Sequence, residues 1–454
     1  MQSWIKKFFS KGHERSVKAK KEILFSFLLK SINIGIGFIQ VPLILGFIGE
    51  ASYGVWLTLG SVIGWFSFLD IGLGNGLRNH LAKAFTEKDD SSARAYVSSA
   101  YFSIAAIATL MLVVFSALTL FLDWSAILKA PAEITSQINW LVWLVFASFC
   151  VRFVLKLVGV ILTADLRPSM NNVFLAAGNI LTILGLFAVI SWHDEGSILL
   201  VGMLITLPIV LIYILASIWF FSKDYQAIRP SFKFYDKTKV RSLLTLGIKF
   251  FFLQAGSIII FATDNMIITQ VLGPEHVTTY YLPQKVFSLI TLGFSIVMVP
   301  MWSSFTQAHA TGDVDWIKGA LKKLIGVWGG FCLAALFLLA ISPYLLEFWV
   351  GDKLAGTVSF QLSALVGIFV CIATFSSIFL HYINGIGKVL VQLIVLVVAA
   401  GLNIPLSIYF AKNLSMGNSG VILASIISLG VFALIMPYQA YVNLNKTASG
   451  IWNK

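Results

Sequence analysis

One stretch sets the architecture: Trp65-Phe-Ser-Phe-Leu-Asp70-Ile-Gly72-Leu-Gly74-Asn-Gly76-Leu-Arg78-Asn-His-Leu-Ala-Lys83-Ala84. An Asp within an apolar span costs roughly 2.5–3.5 kcal/mol at the bilayer centre, so Asp70 is expected to face protein or water. The alternating glycines let another backbone approach closely. Arg78 and Lys83 then mark the cytoplasmic end of the span. The stretch therefore predicts a membrane exit, a close helix contact and a cytoplasmic loop.

The composition of the whole chain agrees with a membrane protein. Of its 454 residues, 58% are hydrophobic and only 11% are charged, whereas about 25% of a soluble domain is charged. A net charge of +12 would indicate nucleic-acid binding in a soluble protein. Here the basic residues follow membrane topology instead, so no nucleic-acid partner is expected.

Twelve segments have the about 20 mostly apolar residues that a spanning helix needs. They lie at 24–47, 53–77, 96–121, 140–163, 171–192, 197–222, 244–272, 280–304, 324–346, 359–383, 389–411 and 420–443. With a cytoplasmic amino terminus, 24 of the 32 Lys and Arg fall inside and three fall in outside loops. This asymmetry predicts that both termini are cytoplasmic. The sequence predicts an all-α polytopic membrane protein with twelve transmembrane helices.

A basic loop divides the predicted helices into two lobes of six. The predicted boundaries are an N-terminal lobe at 1–222, a basic cytoplasmic linker at 223–243 and a C-terminal lobe at 244–454. The halves repeat at an offset of 224 positions, in the pairs Ile48-Gly49 and Leu272-Gly273, Ala84 and Ala308, Asp89 and Asp313, and Arg94 and Lys318. Because six is even, the two halves would have the same membrane orientation.

The fourth span, 140–163, carries the main functional signal. Small, polar and basic residues recur at helical spacing and share one face: Ser148, Arg152, Lys156, Gly159 and Thr163. Two like charges near mid-depth repel each other and need an anion nearby.

Two interpretations of that basic pair stay open. Asp70 or Asp264 would neutralise Arg152 and Lys156 as fixed ion pairs, or a water-filled cavity would present them to an anionic substrate. A diphosphate suits the second interpretation, since Arg binds phosphate with a planar fork and Lys acts as a point charge.

Other spans offer side chains that could line the same cavity. The basic candidates are Lys30, Lys249 and Lys285, and the polar candidates are Asn33, Gln40, Gln254, Ser257 and Asn179. Lys249 and Lys285 lie near helix ends, where snorkelling to the surface is an alternative. Asn179 lies seven residues from Asn172, and such a pair often joins helices rather than binding ligand.

Four residues are candidates for coupling or gating: Asp70, Asp264, Arg78 and His381. His381 suits a satisfied histidine at a helix interface as well as a proton relay. The sequence predicts no catalytic residue and no metal site. It has no G-x-x-x-x-G-K-[ST] phosphate loop and no large outside loop for a glycosyltransferase site, so it is not expected to be an enzyme.

Three motifs support a family resemblance: Tyr53-Gly-Val-Trp56, Leu69-Asp-Ile-Gly-Leu-Gly-Asn-Gly-Leu-Arg78-Asn and Thr263-Asp-Asn-Met-Ile-Ile-Thr-Gln-Val-Leu-Gly273-Pro. They resemble the polysaccharide-transporter branch of the multidrug/oligosaccharidyl-lipid/polysaccharide exporter (MOP) superfamily and, within it, the O-antigen flippases. The resemblance implies a MATE-like V-shaped bundle that works by alternating access. It implies transfer of an undecaprenyl-diphosphate-linked oligosaccharide, an O-antigen or exopolysaccharide repeat unit, to the outer leaflet of the bacterial inner membrane. Arg152 and Lys156 would bind the diphosphate.

The same resemblance implies the surroundings of the protein. Its expected partners are the bilayer, the lipid-linked substrate and the polymerase and chain-length proteins of the polysaccharide pathway. No cofactor is expected apart from a coupling ion, Na⁺ or H⁺. The alternatives are a cation-coupled drug or small-molecule antiporter of the same fold and a lipid II flippase, although the chain lacks the two additional helices of lipid II flippases. A membrane glycosyltransferase is a weaker alternative.

Overall fold

The computed structural model describes residues 14–70, 72–193, 196–244 and 263–453. Its main elements are helices, joined by turns and short 3₁₀ segments. They are α1 Glu14–Gly64, α2 Leu73–Glu87, α3 Asp90–Thr119, α4 Thr135–Leu155, α5 Leu157–Ala164, α6 Ser169–Trp192, α7 Ile198–Ser222, α8 Asp264–Val271, α9 Pro274–Ala310, α10 Val314–Val350, α11 Phe360–Ile386, α12 Leu390–Ile408 and α13 Asn418–Leu444. Single turns of helix lie at Trp124–Ile127 and Asp352–Ala355.

Ten helices within the described ranges are long and apolar enough to cross a membrane. The chain is thus an all-α, multi-pass membrane protein, as the sequence predicts. The predicted spans 24–47 and 53–77 meet within α1, where Gly49 has the non-helical angles φ 75° and ψ 171° and separates two helical parts. The predicted span 244–272 lies largely outside the described residues, so the number of twelve and the side of each terminus stay predictions.

The chain divides into two compact units. The first unit comprises residues 1–59 and 63–251, and the second comprises 60–62 and 252–454. In the first unit, Phe115 stacks on Phe146 with 3.7 Å between ring centroids, and Phe66 meets Phe146 edge-on at 5.0 Å. In the second unit, the core contains the fully buried Phe305 and Ile383. Aromatic side chains give each core much of its buried apolar area.

The stretch 65–84 is not one continuous span. Helix α1 ends at Gly64, a 3₁₀ turn covers Trp65–Asp70, and α2 starts after Gly72, whose φ of 73° lies in the left-handed region. Glycine adopts that region without the steric cost that a side chain imposes. The chain is therefore redirected at the glycine run, and the span predicted at 53–77 is interrupted.

Helix α2 packs closely against the segment that leads into the second half of the chain. A Cβ added to Gly76 would lie 2.5 Å from the Leu243 carbonyl oxygen and 3.0 Å from its Cα. One turn further on, His80 Nε2 lies 3.0 Å from Ser242 Oγ, and its ring stacks on Tyr96 at 4.4 Å. The close backbone approach predicted from the glycine run is confirmed at Gly76.

The basic segment 223–243 folds onto the surface of the first unit. The Ser99 hydroxyl accepts a hydrogen bond from Asp236 N (2.9 Å) and donates to Asp236 O (3.2 Å). The Arg94 guanidinium lies 4.1 Å from the centroid of the Phe234 ring. Helix α3 therefore holds this segment in place through both polar and cation–π contacts.

The predicted internal repeat has matching local structure at its paired positions. Asp89 caps α3 by accepting from Ser92 N at 2.9 Å, and Asp313 caps α10 by accepting from Trp316 N at 3.0 Å. A side-chain acceptor at this position satisfies an otherwise free helix N–H group. The two acids therefore perform the same capping role at equivalent sites.

The turns before these caps also match. Asp89 N donates to Ala84 O at 3.0 Å, and Asp313 N donates to Ala308 O at 2.9 Å. The residue before each cap has a positive φ, 56° at Lys88 and 72° at Gly312. Helices α2 and α9 thus end in the same left-handed turn, with Lys in one copy and Gly in the other.

Candidate functional site

The predicted fourth span contains a 3₁₀ turn at its central lysine. Helix α4 ends at Leu155 and α5 starts at Leu157, so Lys156 lies at the junction. Gly159 N donates to Lys156 O at 3.0 Å, which is the tighter i to i+3 pattern of a 3₁₀ turn. Of the two basic residues of the predicted stripe, Arg152 is exposed and Lys156 is half-buried.

A cleft of about 410 Å³ lies beside Lys156 within the first unit. Helices α2, α5, α6 and α7 contribute to its wall, together with the junction of α4 and α5. Among the residues that line it are Gly159 and five with polar side chains: Arg78, Lys156, Thr163, Asn171 and Tyr213. The structure thus places Lys156, Gly159 and Thr163 of the predicted stripe in one cleft, together with residues from three other helices.

The cleft is electrostatically positive. Arg78 and Lys156 both line it, and no carboxylate belongs to the lining within the described ranges. The Lys156 ammonium lies 4.4 Å from the centroid of the Phe153 ring. Arg152, one turn before Lys156, is close enough to act electrostatically on Tyr213. A guanidinium and an ammonium in one cleft match the charge and geometry of a phosphate group.

Asn171 fixes one wall of the cleft. Its amide donates to Gly159 O at 3.2 Å and to Thr163 Oγ1 at 3.1 Å, so α6 is joined to α5. A side chain at position 159 would collide with the Asn171 amide. Glycine is therefore required for this contact.

The predicted cavity residues of the first helix lie elsewhere in the first unit. Asn179 Nδ2 donates to Asn33 Oδ1 at 2.9 Å, and Asn33 Nδ2 donates to Asn172 O at 3.3 Å. These contacts join α1 to α6, in accord with the alternative that asparagines hold helices together. Lys30 is exposed. Gln40 Nε2 is buried without a hydrogen-bond partner among the residues that the structure describes.

Two of the predicted residues of the second unit have local environments that bear on their roles. Lys285 is half-buried on α9. His381 Nδ1 donates to the Ser377 carbonyl at 2.7 Å, and its ring meets Trp302 edge-on at 5.9 Å. The contacts of His381 are those of a histidine satisfied at a helix interface.

Asp264 is the most unusual of the predicted acids. It is 8% exposed, and its Oδ2 accepts from the Tyr280 hydroxyl at 2.6 Å and from Ser425 Oγ at 3.3 Å. Asn403 donates in turn to Ser425 Oγ at 3.1 Å. Its Oδ1 has no hydrogen-bond partner within the described ranges. The partners seen for Asp264 are therefore neutral.

Four further predictions cannot be placed. Lys249, Gln254 and Ser257 lie outside the described residues, as does the side chain of Asp70. The proposal that Asp70 neutralises the basic pair therefore stays a prediction.

Two residues of the cleft, Asn171 and Tyr213, are not among the residues that the sequence predicts for the site. A third, Arg78, is predicted as a candidate for coupling or gating rather than for substrate binding. Tyr213 is a lone aromatic hydroxyl inside the apolar run of α7, which is a usable signal. Asn171 stands beside Asn172 at the start of α6, and periodicity alone does not tell which of them faces a cleft.

Comparisons with known proteins agree with this architecture. A family described as "Polysaccharide biosynthesis protein" matches residues 19–305. A "Putative O-antigen transporter" of Salmonella typhimurium is 24% identical, over 93% of this chain and 96% of its own length. A "Putative O-antigen export protein" of Yersinia pseudotuberculosis is 21% identical, over 79% of this chain and 81% of its own.

Solved structures of the MOP superfamily share the fold. An inward-facing multidrug resistance MATE family transporter superposes with a TM-score of 0.77 at 15% identity, covering 93% of this chain and 96% of its own. A MOP superfamily transporter from Pyrococcus furiosus gives 0.65 at 14% identity, covering 95% and 96%. At these identities the likeness shows the fold alone, and the predicted MATE-like fold is confirmed.

Proposed function

Because the chain belongs to the polysaccharide biosynthesis protein family, we propose that it is a lipid-linked oligosaccharide flippase. Its substrate would be an O-antigen or exopolysaccharide repeat unit on undecaprenyl diphosphate. The protein would move the sugar and diphosphate from the cytoplasmic to the outer leaflet of the bacterial inner membrane. The names of the two relatives and their coverage of the chain support this proposal.

The observation that carries the proposal is the cationic cleft of the first unit. Moving a diphosphate across the membrane requires that its lost hydration be replaced. Arg78 can bind two phosphate oxygens at once, and Lys156 supplies a second positive charge. A volume of about 410 Å³ is at the small end of ligand pockets. The cleft therefore suits the diphosphate group, while the polyprenyl tail stays in lipid.

Transport would proceed by alternating access between two conformations of the protein. The substrate shifts their populations only by the difference between its affinities for them. Binding in the cleft therefore offsets the barrier to crossing but does not set the direction. Direction would come from ion coupling or from consumption of the product outside by the polymerase and chain-length proteins.

Asp264 is the candidate for ion coupling. A buried carboxylate with neutral hydrogen-bond partners is costly unless it holds a proton or a cation. Its Oδ1 has no partner among the residues that the structure describes, so it can take up H⁺, or bind Na⁺ together with the neighbouring hydroxyl and amide oxygens. We propose that gain and loss of one of these ions at Asp264 powers the conformational change.

The alternative functions differ from the proposed one in the charge or identity of the substrate, or in the reaction that the protein would carry out. A drug antiporter of the same fold would be expected to present acids to a cationic substrate, whereas the cleft presents Arg78 and Lys156. A lipid II flippase would share the diphosphate but prefer the peptidoglycan precursor. A glycosyltransferase would transfer sugar to a polyprenyl acceptor, and we assign no catalytic step to the cleft.

The proposal is tested with vesicles that contain only the purified protein and a fluorescent lipid-linked oligosaccharide. The assay measures the fraction of headgroups that becomes accessible on the opposite side, with and without a Na⁺ or pH gradient. We expect transfer that depends on a gradient. It should be lost in Arg78→Gln and kept in Lys83→Gln, a cation on the same helix that does not line the cleft. Absence of transfer under every gradient, or sugar transfer to the lipid instead, would overturn the proposal.

A further inference from the structure

A second polar cleft, of about 390 Å³, lies at one end of the second unit. The ends of α9, α11 and α13 meet there with the start of α10. The segment after α13 folds back over it, where a 3₁₀ turn at Gly450–Asn453 ends the described chain. Trp452 of this turn packs edge-on against Tyr438 of α13 at 5.0 Å. The chain's last residues therefore form one wall of the cleft.

The basic residues of the lining are His309, Lys388 and Lys446, and no acidic residue belongs to the lining within the described part of the chain. The nearby Asp313 carboxylate is used as the cap of α10, where it accepts from Trp316 N at 3.0 Å. A cleft with two lysines and no acid attracts an anion.

Lys388 is held in place by neutral partners. Its Nζ donates to Asn443 Oδ1 at 2.7 Å, and Asn443 Nδ2 donates to Gln439 O at 2.8 Å and to Trp452 O at 3.0 Å. An ammonium group has three donors, and one of them is used here. The neutral amide of Asn443 holds the ammonium group in place without neutralising it. Lys388 therefore keeps its positive charge and its other N–H donors for a ligand.

Tyr382 adds a hydrogen-bond donor to the cleft. The residue as a whole is 1% exposed and lines the cleft, and no hydrogen bond of its hydroxyl is seen among the described residues. A tyrosine hydroxyl can donate to an anion, so an acceptor bound in the cleft is within the chemistry of this side chain.

We propose that this cleft binds a phosphate-bearing anion through Lys388, Lys446 and the Tyr382 hydroxyl. The ligand is a phosphate ester, which is the chemistry shared by soluble organic phosphates and phospholipid headgroups. Since Asn443 joins Lys388 to Trp452 O, the bound anion also stabilises the folded-back end of the chain. The site is separate from the cleft of the first unit and does not depend on the proposed transport function.

The test uses the full-length protein in nanodiscs of zwitterionic phosphatidylcholine. Calorimetry measures the binding of inorganic phosphate and glycerol 3-phosphate to the wild type and to four variants: Lys388→Gln, Lys446→Gln, Tyr382→Phe and Lys318→Gln. Lys318 is exposed near the start of α10 and does not line the cleft, so it is the matched control. A second arm replaces part of the lipid with phosphatidylglycerol and measures the melting temperature.

Binding of the soluble phosphates should weaken about tenfold in each lysine variant and less in Tyr382→Phe, while Lys318→Gln keeps wild-type affinity. If the source is a lipid headgroup, phosphatidylglycerol instead raises the melting temperature of the wild type and Lys318→Gln but not of the other variants. Failure of both probes to act on the wild type would overturn the proposal. Equal losses in Lys446→Gln and Lys318→Gln would overturn it too, because binding would then follow surface charge. Lys446 is exposed and Tyr382→Phe removes one oxygen, so neither test depends on a variant that disrupts the core.

Discussion

At Gly76 and Gly159, the absence of a side chain lets a neighbouring group pack closely. That group is the backbone of Leu243 at Gly76 and the side-chain amide of Asn171 at Gly159. The sequence predicted a close contact at the run Gly72-x-Gly74-x-Gly76, because alternating glycines in an apolar run favour it. It could not predict Leu243 as the partner, since that residue is distant in sequence and has no distinguishing chemistry.

Gly76→Ala should destabilise the protein, because the atoms that its Cβ would meet belong to the backbone and cannot rotate away. We expect a loss of about 1–3 kcal/mol, the usual cost of overpacking, seen as a lower melting temperature in detergent. Gly35→Ala is the control, because a Cβ there meets nothing within 4 Å. In a helix interior it should be neutral or slightly stabilising. Equal melting temperatures for the two variants would contradict this packing account.

Reversing the charge of Arg152 or Lys156 distinguishes an anionic from a cationic cargo. Lys156→Glu places a carboxylate in the cleft, where it repels a diphosphate, so transport should fall at least about tenfold. Arg152→Glu should have a smaller effect, because Arg152 is exposed and acts from one turn away. The measurement is headgroup transfer in vesicles, with Lys322→Glu as an exposed control. Unchanged or faster transport in Lys156→Glu would favour a cationic drug as the cargo.

At the scale of helices, the sequence predicted where spans exist and where the first two separate. The break at Gly49, with φ 75° and ψ 171°, lies between the predicted spans 24–47 and 53–77. The 3₁₀ turn at Lys156 could not be predicted, because the run stays apolar on both sides of it and hydropathy and periodicity report only burial. The glycine run did mark the change of direction after Gly64.

The internal repeat predicts that opposite substitutions at two equivalent helix ends have opposite effects on stability. Lys88 and Gly312 occupy the same left-handed turn, with φ of 56° and 72°. Lys88→Gly should stabilise the protein by about 0.5–1 kcal/mol, since glycine adopts this conformation without strain. Gly312→Ala should destabilise it by a similar amount, although a Cβ there meets nothing within 4 Å. Melting temperatures that move in the same direction for both variants would contradict the equivalence of the two turns.

The contact between α2 and the segment before the second half should depend on pH. The pKa of His80 is lowered by burial and by the nearby Lys239, with a further contribution from Lys83, while its contact with Ser242 raises it. The folded state therefore favours the neutral ring. The resulting stability is complete above the unfolded pKa of about 6.5 and is lost as the pH falls below it. The melting temperature should therefore drop more steeply below about pH 6.5 in the wild type than in His80→Gln. If the melting temperature falls equally with pH in the wild type and in His80→Gln, ionisation of His80 does not contribute to the pH dependence of stability.

At the scale of the whole molecule, the class of protein followed from composition, and the fold followed from span count and motifs. The cationic character of the site was also predictable, because charges inside apolar spans are rare and visible. Tyr213 and Asn171 were not, since their role depends on which helices meet in space. Asn33 and Asn179 were candidates for a cavity wall, and their side chains are hydrogen-bonded to each other, in accord with the helix-joining alternative for Asn179.

Diphosphate binding in the cleft lined by α2, α5, α6 and α7 can be measured as equilibrium binding of undecaprenyl diphosphate to the purified protein. Arg78→Gln combined with Lys156→Gln should weaken this binding by tenfold or more, on the order of the loss of one or two charge-assisted hydrogen bonds. Lys83→Gln should keep wild-type affinity, and uncharged undecaprenol should bind little. If the affinity is unchanged by loss of the two cations, or is the same for the lipid with and without phosphates, the cleft does not bind the diphosphate.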